Sequence, residues 1–427
     1  MTNYILNAKR TAPEQKGRGI LILAAAVVCV CFALLSGCGG KEEEISTPRV
    51  IVIAEGTADI PDDAYSGNTE AEEVRFPKGL KSIGKRSFKD CSALRVAIIP
   101  KGVAHIGEAA FAGCSGLKSV SLPDSVKSID RTAFKGCTSL EEIKVPKNVT
   151  VIADGTFGGC SALKEAVLPK GVKIIGGSAF EGCKGLDFVT VPKTVEKIGK
   201  NAFAECTSLT AAELPDSVKT LESRAFYGCS ALSRAVLSKN IKELPEEAFA
   251  GCKSLKTVKL PGNLSAVGAR ALSGTALEGF VLPKSVVKIG AEAFADSGIS
   301  EISIPKGVKN IEKGIFKGSA LKKASLAEGA LNIGDYAFAG CQNLVKIEIP
   351  DSVTSIGAHA FEGCTRLPHL RLPAGLKQIG GFSLHRCDNL KTVAWKGKSF
   401  ATDPGSRSEL SNKFIKGGIV GGLNDVW

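Results

Sequence analysis

Cysteine and histidine are the residues of this chain with the most chemistry to offer. Of the 14 cysteines, all but Cys29, Cys31 and Cys38 fall on one beat. They are Cys91, Cys114, Cys137, Cys160, Cys183, Cys206, Cys229 and Cys252, then Cys341, Cys364 and Cys387. Thiols so placed could pair as disulfides, hold a metal or pack as small apolar groups. A metal needs ligands converging from separate parts of the chain, and identical residues along one edge do not converge. Neighbouring coils of a stacked array lie about 4.8 Å apart, which permits cystine pairing, but runs of eight and three leave an odd thiol. The pattern favours a ladder of buried thiols acting as small hydrophobes, with disulfides as the alternative.

The four histidines, His105, His359, His369 and His385, occupy variable positions and belong to no motif. They read as solvated surface residues. H-E-x-x-H, C-x-x-C, G-x-S-x-G and the EF-hand loop are all missing from the sequence. Gly79-x4-Gly84-Lys85 opens like a P-loop, but Arg86 stands where Ser or Thr must reach magnesium. Glu141, Glu142 and Glu165 could pair as carboxylates on neighbouring coils; a solvated face is the simpler reading. The net charge of +12 is dispersed, and only 6% of residues are aromatic. A nucleic-acid binder would concentrate its basic residues or offer stacking platforms. The expectation is a protein that is not an enzyme, with no cofactor, no metal and no nucleic-acid partner.

What positions these residues is a 23-residue unit running from about Ala71 to Leu390. Its marker is a phenylalanine, twice replaced by leucine: Phe88, Phe111, Phe134, Phe157, Phe180, Phe203, Phe226 and Phe249, then Leu272, Phe294, Phe316, Phe338, Phe361 and Leu384. A period of this length means stacked coils. In Leu117–Ser139, Leu117, Val120 and Leu122 have the spacing of a short strand, ended by Pro123. Val126 and Ile129 form a second buried pair, and Ala133 and Phe134 approach a turn closed by Gly136 and Cys137. One such unit cannot bury its own core, so it needs neighbours on both sides. The glycine after the isoleucine (Gly84, Gly107, Gly176 and onward) serves a tight corner and not a left-handed conformation, because Pro245 also occupies the position. The units of Leu272, Phe294 and Phe316 are one residue shorter and lack the cysteine.

The pattern L-x-x-I-x-I-P-x-x-V-x-x-I-G-x-x-A-F-x-G-C resembles the leucine-rich repeats of Bacteroides surface protein A-like (BspA-like) proteins. The resemblance implies a right-handed, curved, β-rich α/β solenoid of about 14–15 coils. It also implies secretion or surface display, and binding of host matrix proteins or other cells. No catalytic or ligand residue comes with it. Ser238 and Ala327 in place of proline, and the tail after Trp395, depart from the pattern.

The chain begins with a basic leader, Lys9, Arg10, Lys16 and Arg18, followed by the uncharged apolar run Ile20–Leu35. That run is short for a membrane span, which needs about 20 residues, and suits an export signal. Leu35-Ser36-Gly37-Cys38 resembles the bacterial lipobox, which implies cleavage, lipidation of Cys38 and stable attachment to a membrane. Gly39 at the next position favours the outer membrane by the same resemblance. The organisation expected is therefore a signal peptide (1–37), a lipidated polar tether (38–49), a degenerate first repeat as cap (50–75), the solenoid (76–395) and a C-terminal cap or tail (396–427). Phe414 and Trp427 are candidates to close the far end.

Binding would fall to the outward positions of the strands. Val167, Phe188 and Val236 are apolar there, where solvent is expected, and Arg234 stands beside them. Exposed apolar patches mark contact sites, and an aromatic beside an arginine is a common interface anchor. Val281 is a further apolar residue of the same row. A lysine row follows the prolines: Lys78, Lys101, Lys147, Lys170, Lys193, Lys239, Lys284 and Lys306. It suits an acidic partner or a glycan, or else serves only to block strand-to-strand aggregation. The functional expectation is a lipid-anchored surface recognition protein with a protein ligand. The alternative is a periplasm-facing scaffold of the cell envelope.

Overall fold

The computed structural model describes residues 49–403. Most coils contribute a three- or four-residue strand to one row and a two-residue strand to a second row, and the strands of each row pair in parallel with neighbouring coils in blocks. In the coil read above, these are Ser119–Ser121 and Ser128–Ile129. Register advances by one repeat: Val151 pairs with Ile174, and Ile174 with Lys197. The array amounts to about 15 turns.

The core is a set of ladders. The marker phenylalanines from Phe88 to Phe249 are fully or almost fully buried and stack ring on ring, with centroids 5.1–5.8 Å apart. A column of this kind adds geometric specificity to apolar burial, because offset stacking fixes ring orientation. It breaks at Leu272 and resumes at Phe294. Phe280, on the strand side, turns inward and packs against Phe294 at 5.5 Å.

The helical component expected of an α/β solenoid is not found: the elements among the described residues are all strands. The reason lies two residues either side of the marker phenylalanine. Arg86 (φ 52°) and Asp90 (φ 59°) flank Phe88, and Ser178 (φ 52°) and Gly182 (φ 70°) flank Phe180. Two left-handed residues in every five cannot sit in a right-handed helix. Their backbone hydrogen bonds go elsewhere. The N–H groups of Arg86, Phe88 and Asp90 donate to Glu108, Ala110 and Ala112 of the following coil at 2.7–2.9 Å. The far side of the solenoid is thus a hydrogen-bonded ladder of tight turns.

The glycine after the isoleucine keeps out of the left-handed region, as its exchange with Pro245 implies. Its purpose is close approach between coils: a Cβ on Gly380 would lie 2.2 Å from the backbone nitrogen of Ala358.

At the first coil, Val50–Val52 pairs with Glu73–Arg75, and Tyr65 stacks on Phe88 at 5.3 Å. At the other end Thr392–Trp395 folds back onto Lys398–Ala401, the one antiparallel pair among the described strands. Its two-residue turn, Lys396 (φ 47°) and Gly397 (φ 76°), has the primed geometry of a tight hairpin. Trp395 and Phe400 are buried there. The leader, Cys38, the tether, Phe414 and Trp427 lie outside the described residues.

Candidate recognition surface

The eleven repeat cysteines are buried and none is joined in a disulfide. Each thiol also has a definite partner. Cys114 Sγ donates to the carbonyl of Phe88 at 3.0 Å, Cys183 to that of Phe157 at 3.1 Å and Cys364 to that of Phe338 at 3.3 Å. The cysteine therefore ties its own corner to the aromatic column of the preceding coil. Burial pushes the thiols of Cys183, Cys206 and Cys364 well above their ordinary range, and that of Cys341 up to about 12. Burial thus favours the protonated thiol at these four positions. In the three short units the slot is filled by Thr275, Ser297 and Ser319, all buried. Thr275 turns back onto Leu272 of its own coil at 2.7 Å. The sequence showed these hydroxyl residues three places after Leu272, Phe294 and Phe316, but the missing residue downstream obscured that they replace the thiol.

His105, His359 and His385 are half-buried, whereas His369 is exposed. His359 Nδ1 lies 2.9 Å from Glu362 Oε2, and His385 Nδ1 lies 3.2 Å from Glu362 Oε1. The His359 ring is sandwiched between Tyr336 at 4.6 Å and Phe382 at 5.3 Å. Burial raises the Glu362 carboxyl, but the hydrogen bonds from His385 and His359 outweigh it and hold the group below the usual carboxylate range. The signal in the sequence was the 23-residue step from Glu362 to His385, which places them side by side on adjacent coils. His105 meets Asp130 at 3.4 Å, and His369 bonds Thr392 at 2.7 Å. No group of three or more His, Cys, Asp or Glu among the described residues could hold a metal ion.

The strand face is where the regular pattern breaks. Its longer row is paired from Val50–Val52 to Ser119–Ser121, resumes with Glu142–Lys144 and Glu165–Val167, and resumes again from Ala211–Glu213 to Thr257–Lys259. Further paired blocks run from Glu301–Ile304 to Lys346–Glu348 and from His369–Arg371 onward. The coil of Phe188 makes a single bridge, to Glu165, and the coil of Phe280 has no strand in this row. In the second case Gly279 takes φ +58° just before Phe280 turns into the core.

Among the described residues, hollows open on this face beside such weaknesses, and four of them stand out. The first, about 540 Å³, lies where two neighbouring strands are joined through the single pair Glu73 and Val96. Its Arg75–Glu73 and Arg95–Glu72 pairs, at 2.9 and 3.2 Å, balance its charge. The second, about 420 Å³, is lined by Glu141, Glu142 and Glu165 with Lys118 and Lys164. Glu142 and Glu165 are directly opposed across the ladder, and Lys164 reaches Glu141 at 3.3 Å. Phe188 opens onto a third of about 880 Å³, floored by Val189, Val191 and Leu214. The fourth, about 750 Å³, is lined by Phe280, Val281, Leu282 and Ile304.

Of the four residues expected to bind, three meet in the Phe188 hollow: Phe188, Arg234 and Val236. Phe188 is 57% exposed, whereas Val236 is half-buried rather than freely exposed. Arg234 is held by an ion pair with Glu213, which aims the guanidinium and removes part of its free charge. Val167 is 45% exposed but lies outside that hollow. Val281, at 78% exposure, is the most exposed large apolar residue of the described chain. In the lysine row, Lys147 and Lys239 pair with Asp124 and Asp216, while Lys170 and Lys193 rim the Phe188 hollow and Lys284 and Lys306 rim the Phe280 hollow.

Parallel ladders, an aromatic column and a repeat of 22–23 residues define a leucine-rich repeat solenoid. The family model for the BspA type leucine rich repeat region matches residues 58–187, 173–299 and 287–401, and the chain belongs to that family. A leucine-rich repeat protein from Bacteroides ovatus of known crystal structure is 34% identical. It aligns over 70% of this chain and 80% of its own, with a TM-score of 0.61. A leucine rich repeat protein of T. pallidum is 32% identical over 37% of this chain and 76% of its own, with a TM-score of 0.35. A leucine rich cell surface protein from Faecalibacterium prausnitzii is 23% identical over 83% of this chain and 89% of its own, with a TM-score of 0.43. No curated protein matches the sequence.

Proposed function

We propose that the chain is a non-enzymatic recognition protein that binds protein ligands through its strand face, held at a cell surface by a lipid on Cys38. The observation that carries the reading is the coincidence of sheet interruption, exposed apolar side chains and unpaired lysines at the hollows of Phe188 and Phe280. The two N-terminal hollows also lie at breaks in the sheet, but the charges of one are paired and carboxylates outnumber lysines in the other. An exposed phenylalanine and valine are unfavourably hydrated, and a partner that covers them would remove that cost. The partners the repeat family suggests are matrix proteins or another cell surface. The lipobox and the family resemblance support display outside the outer membrane.

The test has two parts. Protease added to intact cells should remove the repeat region while periplasmic controls survive. Purified full-length protein should then bind an immobilised matrix protein, and Phe188→Ser and Arg234→Glu should weaken that binding. Full protection of the repeats, in cells whose surface controls are digested, would turn the reading toward an envelope scaffold facing the periplasm.

A further inference from the structure

The two larger hollows are alike in ways the repeat does not require. Both sit at a coil whose strand is interrupted, and both have apolar floors. Both are rimmed by two successive lysines of the row after the proline. Those four lysines are exposed and make no ion pair among the described residues, unlike Lys147 and Lys239. In the Phe280 hollow, Lys323 and Lys346 are already neutralised by Glu301 and Glu348 at 2.9 and 2.8 Å. In the Phe188 hollow, Arg234 is neutralised by Glu213. Each hollow therefore keeps two free positive charges over an apolar floor. The N-terminal hollows differ, one balanced and one richer in carboxylates.

Phe188 and Phe280 are four coils apart. At about 4.8 Å per coil this is roughly 19 Å, a distance that about six residues of extended chain cover at ~3.3 Å each. From this spacing and charge we propose that the strand face takes an acidic polypeptide segment in extended form, running along the solenoid axis. Two apolar side chains about six residues apart enter the two hollows, and Asp or Glu beside each meets Lys170 with Lys193 and Lys284 with Lys306. The proposal rests on strand-face recognition and adds the chemistry of the partner. A polyanion such as a sulfated glycan or nucleic acid fits less well. It has no aliphatic side chain for the floors, and two free lysines per hollow neutralise few of its charges.

The test is selection of peptides of about 16 residues, long enough to cross both hollows, from a random display library against the full-length protein. Synthetic copies of the enriched peptides are then titrated against wild type, Lys193→Glu and Lys306→Glu. Both lysines are exposed, and thermal unfolding checks that the variants are folded. The expected peptides carry acidic residues beside two apolar residues about six apart. Each single variant should cost on the order of 100-fold in affinity, because losing one of two linked contacts removes its avidity. Enriched peptides without acidic residues, or sensitivity to only one of the two variants, would overturn the proposal. So would displacement by heparin or single-stranded DNA at lower concentration than by the peptides themselves. Binding that ignores both lysine variants but falls with Phe188→Ser and Val281→Ser would overturn the acidic partner while leaving strand-face recognition in place. Binding that ignores all four variants would overturn both.

Discussion

Replacing Phe180 by alanine tests how the solenoid is held together. The ring is fully buried and stacked on Phe157 and on Phe203, each at 5.4 Å, with interplanar angles of 20° and 1°. Truncating a buried phenylalanine costs about 3–5 kcal/mol. The two lost ring contacts account for about 1–3 of that, at ~0.5–1.5 each. Phe180→Leu keeps most of the apolar volume and imitates Leu272, so its cost should be smaller, about 1–2 kcal/mol. The damage should also be local, since each coil is stabilised by its neighbours. Hydrogen exchange should show lost protection in the coils of Phe157, Phe180 and Phe203 and near-normal protection around Phe338. Pairing Phe180→Ala with Phe157→Ala should be non-additive, because they share one interface, whereas pairing it with Phe338→Ala should be additive. Urea unfolding that places Phe180→Ala within about 0.5 kcal/mol of wild type, or loss of protection spread evenly along the array, would refute the reasoning.

Three further outcomes follow from the same ladders. The Cys341 thiol is raised in the folded state, so its contribution is intact below about pH 9 and is lost as pH rises toward about 12. The slope is at most ~1.4 kcal/mol per pH unit, and Cys341→Ala should flatten the decline in unfolding midpoint over that window. Glu362 is lowered instead, so its contribution is present above the ordinary carboxylate range and is lost as pH falls through it. Acid unfolding of the C-terminal coils, followed by hydrogen exchange, should therefore be less pH-dependent in Glu362→Gln. Gly182, at φ +70°, should lose about 1–2 kcal/mol as alanine, measured by urea titration; a neutral result would mean that the turn relaxes out of the left-handed region.

Much of the fold was legible because the core residues carry their own signal. Phe, Cys, Leu, Val and Ile recur at fixed positions, and those positions are buried. The left-handed row two residues before the phenylalanine was not legible. Gly155, Gly314 and Asn201 suit that conformation, but most of the row is Arg86, Ala109, Thr132, Glu247, Tyr336 and others, residue types that give no hint of positive φ. The inter-coil hydrogen bonds of the turn ladder hold that conformation, and a single repeat read alone does not reveal them. The expectation of helix failed for the same reason. At the surface, outward apolar residues could be named, but the strand breaks that open the hollows depend on local departures such as Gly279 at φ +58°. These are departures from periodicity, and a periodic reading averages them away. The His359–Glu362–His385 cluster was missed because its members are joined across coils and not within a motif.

The most direct measurement compares the two faces of one full-length protein. Phe188→Ser and Val281→Ser alter the strand face, and Tyr227→Ser alters the turn ladder, where Arg224 lies over the Tyr227 ring at 4.1 Å. Binding of each purified variant to intact cells and to immobilised matrix proteins should fall by about tenfold or more for the strand-face changes and stay unchanged for Tyr227→Ser. Undiminished binding by both strand-face variants, with loss on Tyr227→Ser, would place recognition on the turn ladder and contradict the assignment made here.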